Sequence, residues 1–591
     1  MSNRLVGYLQ KRVVLTQQRL LQSGCPTFTT AFILADLLAE KPSVRRFSEF
    51  SGDLSGRYLG ALSLWPDAGS EAELKKLART MIKQQRPDGR FGDPDLDFSG
   101  PEVNKTHMPL LWGNGRLLVG LMEYYSRFQD AAVLQAAARL GDFLIRVSEF
   151  CQNEETAEAL KSLGAYGFIC FTQCNEGLVL LGEATGEQRY LETAQKIAGW
   201  VLPRGKQHSH GYLTTLRGIM HLHRVTGDAK LLKSVEKQFA DLVESKDYLV
   251  TGGVPEYFGW KEQPLNSDAS VAAHSTEESR DEGCSEADFL RLCLQLWQAT
   301  GKVSYLEKAE HCLLNHLLFN QYSNGDFGHR ALTWDGFKSY MNPGRAWWCC
   351  TMHGLRAFTD VQEAAVTTAD HECRVNLLLD CDHADPETGL KVKFRNRYDR
   401  ATRRHLVVAT ITQAPTAPVK IALRQPSWAE TEAVTVNGRK ATSTVEGGYC
   451  SVKRLWKKGD TLELRQSHLF RFVSEDNRPV ALKTLQTASA PAPVALFHGP
   501  WLLAIHDGED PLFFSEPSEG NTVVPPVSTD ELEHAWGQSG AAAVDGHLRL
   551  SYVHQGFPGA QNISLRPLGH QAGSDQKSVK IFLQLASSKK S

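Results

Sequence analysis

The feature that most restricts what this chain can fold into is a change of apolar period near residue 370. Upstream of it one phrase returns three times: "ATGEQRYLETAQKIAGWVL" from Ala184, "VTGDAKLLKSVEKQFADLV" from Val225 and "ATGKVSYLEKAEHCLLNHLL" from Ala299. Each reads as the end of one helix, a glycine turn and a new amphipathic helix, and "YSRFQDAAVLQAAARLGDFLI" from Tyr125 is a looser fourth copy. Helical hairpins repeated at intervals of roughly 40 to 75 residues bury their apolar faces by stacking into a solenoid or a closed ring. Downstream the period becomes two, in "LKVKFRNRY", "HLVVATIT", "PVKIALRQ", "AVTVNG", "YCSVKRLW" and "DTLELRQ", with "NG", "GG" and "KKGD" turns between. The expected organisation is a helical domain over 1–370, a β-sandwich over 371–480 and a smaller β domain over 481–591, introduced by the Pro- and Ala-rich "KTLQTASAPAPV".

Composition narrows the classes of partner. Lys and Arg total 65 against 67 Asp and Glu, for a net charge of −2, and no basic run stands out, so neither nucleic acid nor an anionic membrane is an expected partner. The partner expected is a small neutral molecule, with self-association into a homo-oligomer left open. The opening "MSNRLVGYLQKRVVLTQQRLL" mixes apolar residues with Arg, Lys and Gln and has no unbroken apolar core, so the expectation is a cytoplasmic protein unless a leader was removed. Twelve cysteines in 591 residues are too dilute for a disulfide scaffold. Nine of them (Cys25, Cys151, Cys170, Cys174, Cys293, Cys312, Cys373, Cys381 and Cys450) sit in apolar or mixed surroundings and read as buried thiols.

Cys284, Cys349 and Cys350 are different. "DEGC", Asp281 to Cys284, precedes a helical pattern, and the vicinal pair ending "AWWCC" precedes another. Cys284 is therefore expected at a helix N-terminus, where the helix dipole lowers a thiol pKa. Three thiolates and the Glu282 carboxylate form a donor set suited to tetrahedral Zn²⁺. Spacing alone also allows three ordinary buried thiols.

Glu-X-Cys before a helix, "YLEKAEHCLLNHLL" after it, "YMNP" from Tyr340 and the Cys-Cys pair resemble glycoside hydrolase family 127, the β-L-arabinofuranosidase group, and "LRQPSWAETEAVTVNGRK", "GGYCSVKRLWKKGDTLEL" and "FHGPWLLA" are similar to its β region. The resemblance implies an (α/α)₆ barrel followed by β-sandwiches. It implies a Zn²⁺ cofactor on Glu282, Cys284, Cys349 and Cys350, with Cys349 as the nucleophile of a retaining glycosidase and a carboxylic acid as its proton donor. For that acid the resemblance leaves Glu262, which fits the register better, and Glu256, which is nearer the Gly-Gly turn; Glu277 and Glu278 are outside candidates.

The family lines its pocket with histidines. This chain retains His107 but has Cys174 and Thr214 where histidines are expected, so the resemblance implies a glycosidase for a furanosidic or unusual sugar, with a glycone different from a simple β-L-arabinofuranoside. His208, His210, His329, Arg345, Trp347 and Trp348 are the replacements considered, the tryptophans as faces for a sugar to stack on. Two other functions fit a helical barrel: a metal-independent sugar epimerase or isomerase, and a non-catalytic carbohydrate-binding protein with structural zinc.

Overall fold

The computed structural model describes residues 2–585 apart from 22–27, 39–48, 66–69, 101–102, 152–154, 157, 159–166, 206, 260–278, 339–347, 489, 516–520, 539–544, 555, 571–574 and 576. The first half is helical: α1 (Gly7–Leu21), α2 (Asp53–Leu64), α3 (Glu71–Ile82), α4 (Met108–Phe128), α5 (Ala131–Cys151), α6 (Asn175–Thr185), α7 (Gln188–Ala198), α8 (Ser209–Thr226), α9 (Ala229–Glu244), α10 (Gly283–Thr300), α11 (Val303–His311) and α12 (Trp348–Ala365). The even-numbered helices pack on one another in chain order, and α12 returns to α2, which closes an inner ring. Each odd-numbered helix packs outside one inner helix: α3 on α2, α5 on α4, α7 on α6, α9 on α8, α11 on α10 and α1 on α12.

The sequence pattern explains the layers. On α9 the buried residues are Leu231, Val235, Phe239 and Leu242, one stripe of a helix with a wet outer face. On α10 burial runs unbroken from Gly283 to Leu294, as it must when both faces are covered. The three repeated phrases fall on the turns from inner to outer helix, where Gly186, Gly227 and Gly301 take positive φ of 73°, 72° and 70° to end the helix. In the looser fourth copy Gln129 occupies that left-handed position, at φ 50°.

The β-rich half follows the period-two segments. One sheet runs Asn3–Leu5, Cys381–Ala384, Lys391–Asp399, Arg404–Gln413, Thr461–His468, Ala429–Val436, Arg439–Lys440, and a second runs Thr444–Glu446, Tyr449–Arg454, Val419–Arg424, Glu372–Val375, Val366–Ala369. A third sheet holds Phe470–Ser474, Ala492–His498, Trp501–His506 and the later strands. Two short strands cross the division between the halves. Asn3–Leu5 pairs with Cys381–Ala384, and the hairpin Ala331–Leu332 with Gly336–Lys338 joins the third sheet through Ser578–Lys580. Among the described residues no helix is long and apolar enough to cross a membrane.

Candidate active site

The inner helices bring their N-terminal ends to one mouth of the ring. Cys284 lies in the first turn of α10, with Glu282 as its N-cap, and Cys349 and Cys350 lie in the first turn of α12. One donor atom from each of Glu282, Cys284, Cys349 and Cys350 falls within 4.8 Å of every other. The Cys284 thiol donates to Cys350 Sγ at 3.7 Å. Gly283 permits this approach: a Cβ there would meet Asn320 Oδ1 at 2.7 Å and Cys350 Cβ at 3.1 Å. Asp281, the first letter of "DEGC", is an anchor, accepting from Arg330 N at 2.5 Å, Asn320 Nδ2 at 3.0 Å and His316 Nε2 at 3.1 Å. Three sulfurs and a carboxylate gathered this closely fit the ligand preference of Zn²⁺.

Of these thiols it is Cys349 that is held well below the usual range, by hydrogen bonds from Cys284 and Cys350 that outweigh burial, with Arg57 adding to them. Burial pushes Cys284 up, so the lowering expected there from its helix N-terminus is overridden by desolvation. Glu282 is also raised, by burial and by the Glu256 and Cys349 charges; it accepts from Ser285 Oγ at 2.9 Å and faces His208 Nε2 at 3.3 Å.

Below the thiols lies a buried network of which His210 was a named candidate, while Arg57, Asp288 and His353 were missed. Arg57 of α2 reaches Cys284 Sγ at 3.8 Å, His353 Nδ1 at 2.9 Å and His210 Nε2 at 2.8 Å, and is anchored on Asp53 at 2.8 Å. Both imidazoles turn their other nitrogen to Asp288, at 2.5 Å from His210 and 3.3 Å from His353, and His210, accepting from Arg57, donates to the carboxylate. Thr214 and Arg217 donate to Asp288 as well, each at 2.9 Å. The missed signal was helical spacing: Asp288 and His353 stand one turn after Cys284 and Cys349.

The other candidates divide. His210 joins the network, and His329 faces Glu256 at 3.7 Å, its pKa brought to about 4 by burial and Arg280. Glu256 belongs to the same mouth, grouped with His208 and Glu282. Arg280 holds it through Nε and through Nη2 at 2.8 Å. Burial opposes the charge of Glu256, but Arg280 and His329 outweigh it and set the pKa at about 2. His107 is committed elsewhere, to Asp97 O at 2.9 Å, Asn104 N at 3.2 Å and the Phe98 ring. Glu262, Glu277, Glu278, Arg345 and Trp347 lie outside the described residues. Eight of the nine cysteines read as buried thiols are buried, and Cys25 lies outside the described residues.

The fold is thus a closed double ring of helices with a thiol and carboxylate cluster at one mouth, followed by β-rich domains. The chain belongs to glycoside hydrolase family 127: residues 15–363 match the family's β-L-arabinofuranosidase catalytic domain and residues 372–467 its middle domain. It is accordingly a glycoside hydrolase, and its substrate a carbohydrate. Among solved structures, a GH127 β-L-arabinofuranosidase from Geobacillus stearothermophilus T6 is similar at 14% identity, with 99% of this chain and 100% of that chain covered and a TM-score of 0.70. A second GH127 β-arabinofuranosidase is similar at 17% identity, with 99% and 96% covered and a TM-score of 0.70. No curated protein matches the chain.

Proposed function

We propose that this hydrolase retains anomeric configuration, uses Cys349 as its nucleophile and acts on a furanosidic sugar related to a β-L-arabinofuranoside. The observation that carries the reading is the cluster of Glu282, Cys284, Cys349 and Cys350 within 4.8 Å, with the lowered thiol at Cys349. Zn²⁺ held by these four residues would keep the sulfur ionised and ease its later departure. Cys349 Sγ attacks the anomeric carbon while the bond to the aglycone oxygen breaks and a carboxylic acid gives that oxygen its proton. Water then attacks the same carbon, returns a proton to the carboxylate, and the carbon–sulfur bond breaks.

Of the carboxylates the sequence left open, Glu256 is the one with a described position, beside Glu282 and His208. Paired with Arg280 it is ionised, the state that accepts a proton from water; to donate in the first step it must leave Arg280. Arg57 and Asp288 touch no reacting atom in this scheme and position the thiols and His210.

A screen of chromogenic glycosides with the wild type and Cys349→Ala tests the reading. Turnover of a furanoside by the wild type, its loss in the variant and a covalent adduct on Cys349 in peptide mapping are expected. Full activity in Cys349→Ala, or an adduct confined to Cys284 or Cys350, refutes it.

A further inference from the structure

Far from the thiol cluster, three histidines converge where the first β sheet meets the third. His405 lies on Arg404–Gln413, His468 ends Thr461–His468 and His498 ends Ala492–His498. The fold itself produces the convergence. His405 is registered opposite Gln466, so His468, two residues on, shares its sheet face. The bond from Gly499 N to Leu469 O, 3.0 Å, then brings His498 alongside. Gly499, at φ 56°, leaves the space His468 occupies: a Cβ there would fall 2.5 Å from Nδ1.

The three residues are 7%, 7% and 2% exposed, and one nitrogen of each lies within 4.8 Å of the others. His405 Nε2, His468 Nδ1 and His498 Nδ1 are buried and have no hydrogen-bond partner among the described residues. A buried imidazole nitrogen left unpaired forfeits its hydration without replacement, so three in one place call for a ligand that accepts lone pairs. Burial holds all three rings below the ordinary histidine range. Aromatic rings pack against two of them: Trp428 edge-on to His468 at 4.9 Å, Phe470 stacked on His498 at 4.4 Å and Trp536 at 4.0 Å from His498. His405 and His468 also line a cavity of about 110 Å³ between α1 and the sheet.

The geometry points to a second metal site in this protein, a three-histidine site for a borderline divalent cation such as Zn²⁺, Ni²⁺ or Cu²⁺, tying the two β regions together. Tetrahedral ligands on zinc stand about 3.4 Å apart. His405 and His468 now stack with centroids 3.3 Å apart and planes at 3°, so one ring turns about its Cβ–Cγ bond to bring its nitrogen onto the ion. The fourth position is left to water or an anion.

Cobalt titration tests this, because a cobalt–thiolate site absorbs intensely in the near ultraviolet and a cobalt–histidine site does not. The expected result is two cobalt ions per wild-type chain, one of them without the charge-transfer band and worth a rise in Tm. His405→Gln and His498→Phe, each checked for a native circular dichroism spectrum, should lose that band-free ion and its Tm rise while keeping activity. Cys284→Ala should keep it, so failure of the thiol-site reading would show separately as loss of the band in the wild type. A wild type that binds no band-free cobalt, or a band-free ion that survives in either folded histidine variant, overturns the proposal.

Discussion

Gly283→Ala places a methyl group between two proposed metal ligands without touching a donor atom. The added Cβ would stand 2.7 Å from Asn320 Oδ1, 3.0 Å from Phe327 Cβ and 3.1 Å from Cys350 Cβ. Asn320 cannot step aside cheaply. Its Nδ2 donates to Asp281 at 3.0 Å and to Gly328 O at 2.9 Å, and its Oδ1 accepts from Gly328 N at 3.0 Å. The strain therefore falls on the contact with Cys350 and opens the pair Cys284–Cys350 by a few tenths of an ångström. Metal–ligand distances tolerate about 0.2 Å. Overpacking of this kind costs about 1–3 kcal/mol, or about 5- to 150-fold in metal affinity if it acts on the loaded state. Against it stands the gain of about 1 kcal/mol for Ala over Gly in a helix, which raises overall stability and not metal affinity. The expected outcome is a protein with unchanged circular dichroism whose zinc is lost to a competing chelator at least about fivefold more readily, with glycosidase activity falling in parallel. Unchanged zinc affinity and activity would refute the argument that α10 and α12 hold their thiols as one ligand set.

Three further outcomes follow from the same geometry. Purified enzyme should carry stoichiometric zinc at the thiol site, and Glu282→Ala and Cys284→Ala should lower zinc content and activity together by elemental analysis and assay; unchanged occupancy in both would mean that these ligands are wrong. The Glu256 carboxyl, at about 2 when folded and near 4.5 when free, stabilises the fold above its free value and loses that contribution as the pH falls through its folded value. Arg280→Met, which removes its main partner, should move the acid unfolding midpoint upward in a fluorescence titration, and an unmoved midpoint would show that the pair does not stabilise the native state. Simple β-L-arabinofuranosides should be turned over with lower kcat/KM than the best glycoside in a screen, and parity would overturn the specificity argument.

The ring and the thiol cluster were legible for the same reason. A helix N-terminus is a local event, readable from "DEGC" and "WWCC", and closing the ring puts the first turns of α10 and α12 side by side. What was not legible depends on elements with no period to read. Asn3–Leu5 is too short a strand to show an alternation, and only its pairing with Cys381–Ala384 reveals it. Arg57 comes from a helix far upstream whose sequence gives no sign that its guanidinium will end between two imidazoles. The lowered thiol at Cys349, and not at Cys284, follows from which sulfurs donate to which, a matter of side-chain direction.

The network also changes what the missing histidines mean. Thr214 stands where the family resemblance leads one to expect an imidazole, and the simple reading is that a smaller side chain leaves room for a different sugar. The structure gives Thr214 another duty: fully buried, it donates to Asp288 at 2.9 Å and lies 3.3 Å from His210 Nδ1. Its hydroxyl is therefore committed to the carboxylate that orients His210 and His353. Cys174 is likewise buried, against the backbone of Gly115. Both side chains are buried and the Thr214 hydroxyl is committed, so any shift in specificity comes from hydrogen bonds the sugar no longer receives. A site built on such bonds discriminates strongly when they are absent. Thr214→His would not restore them, since an imidazole there would displace the hydroxyl from Asp288 and disturb His210 before it reached a substrate.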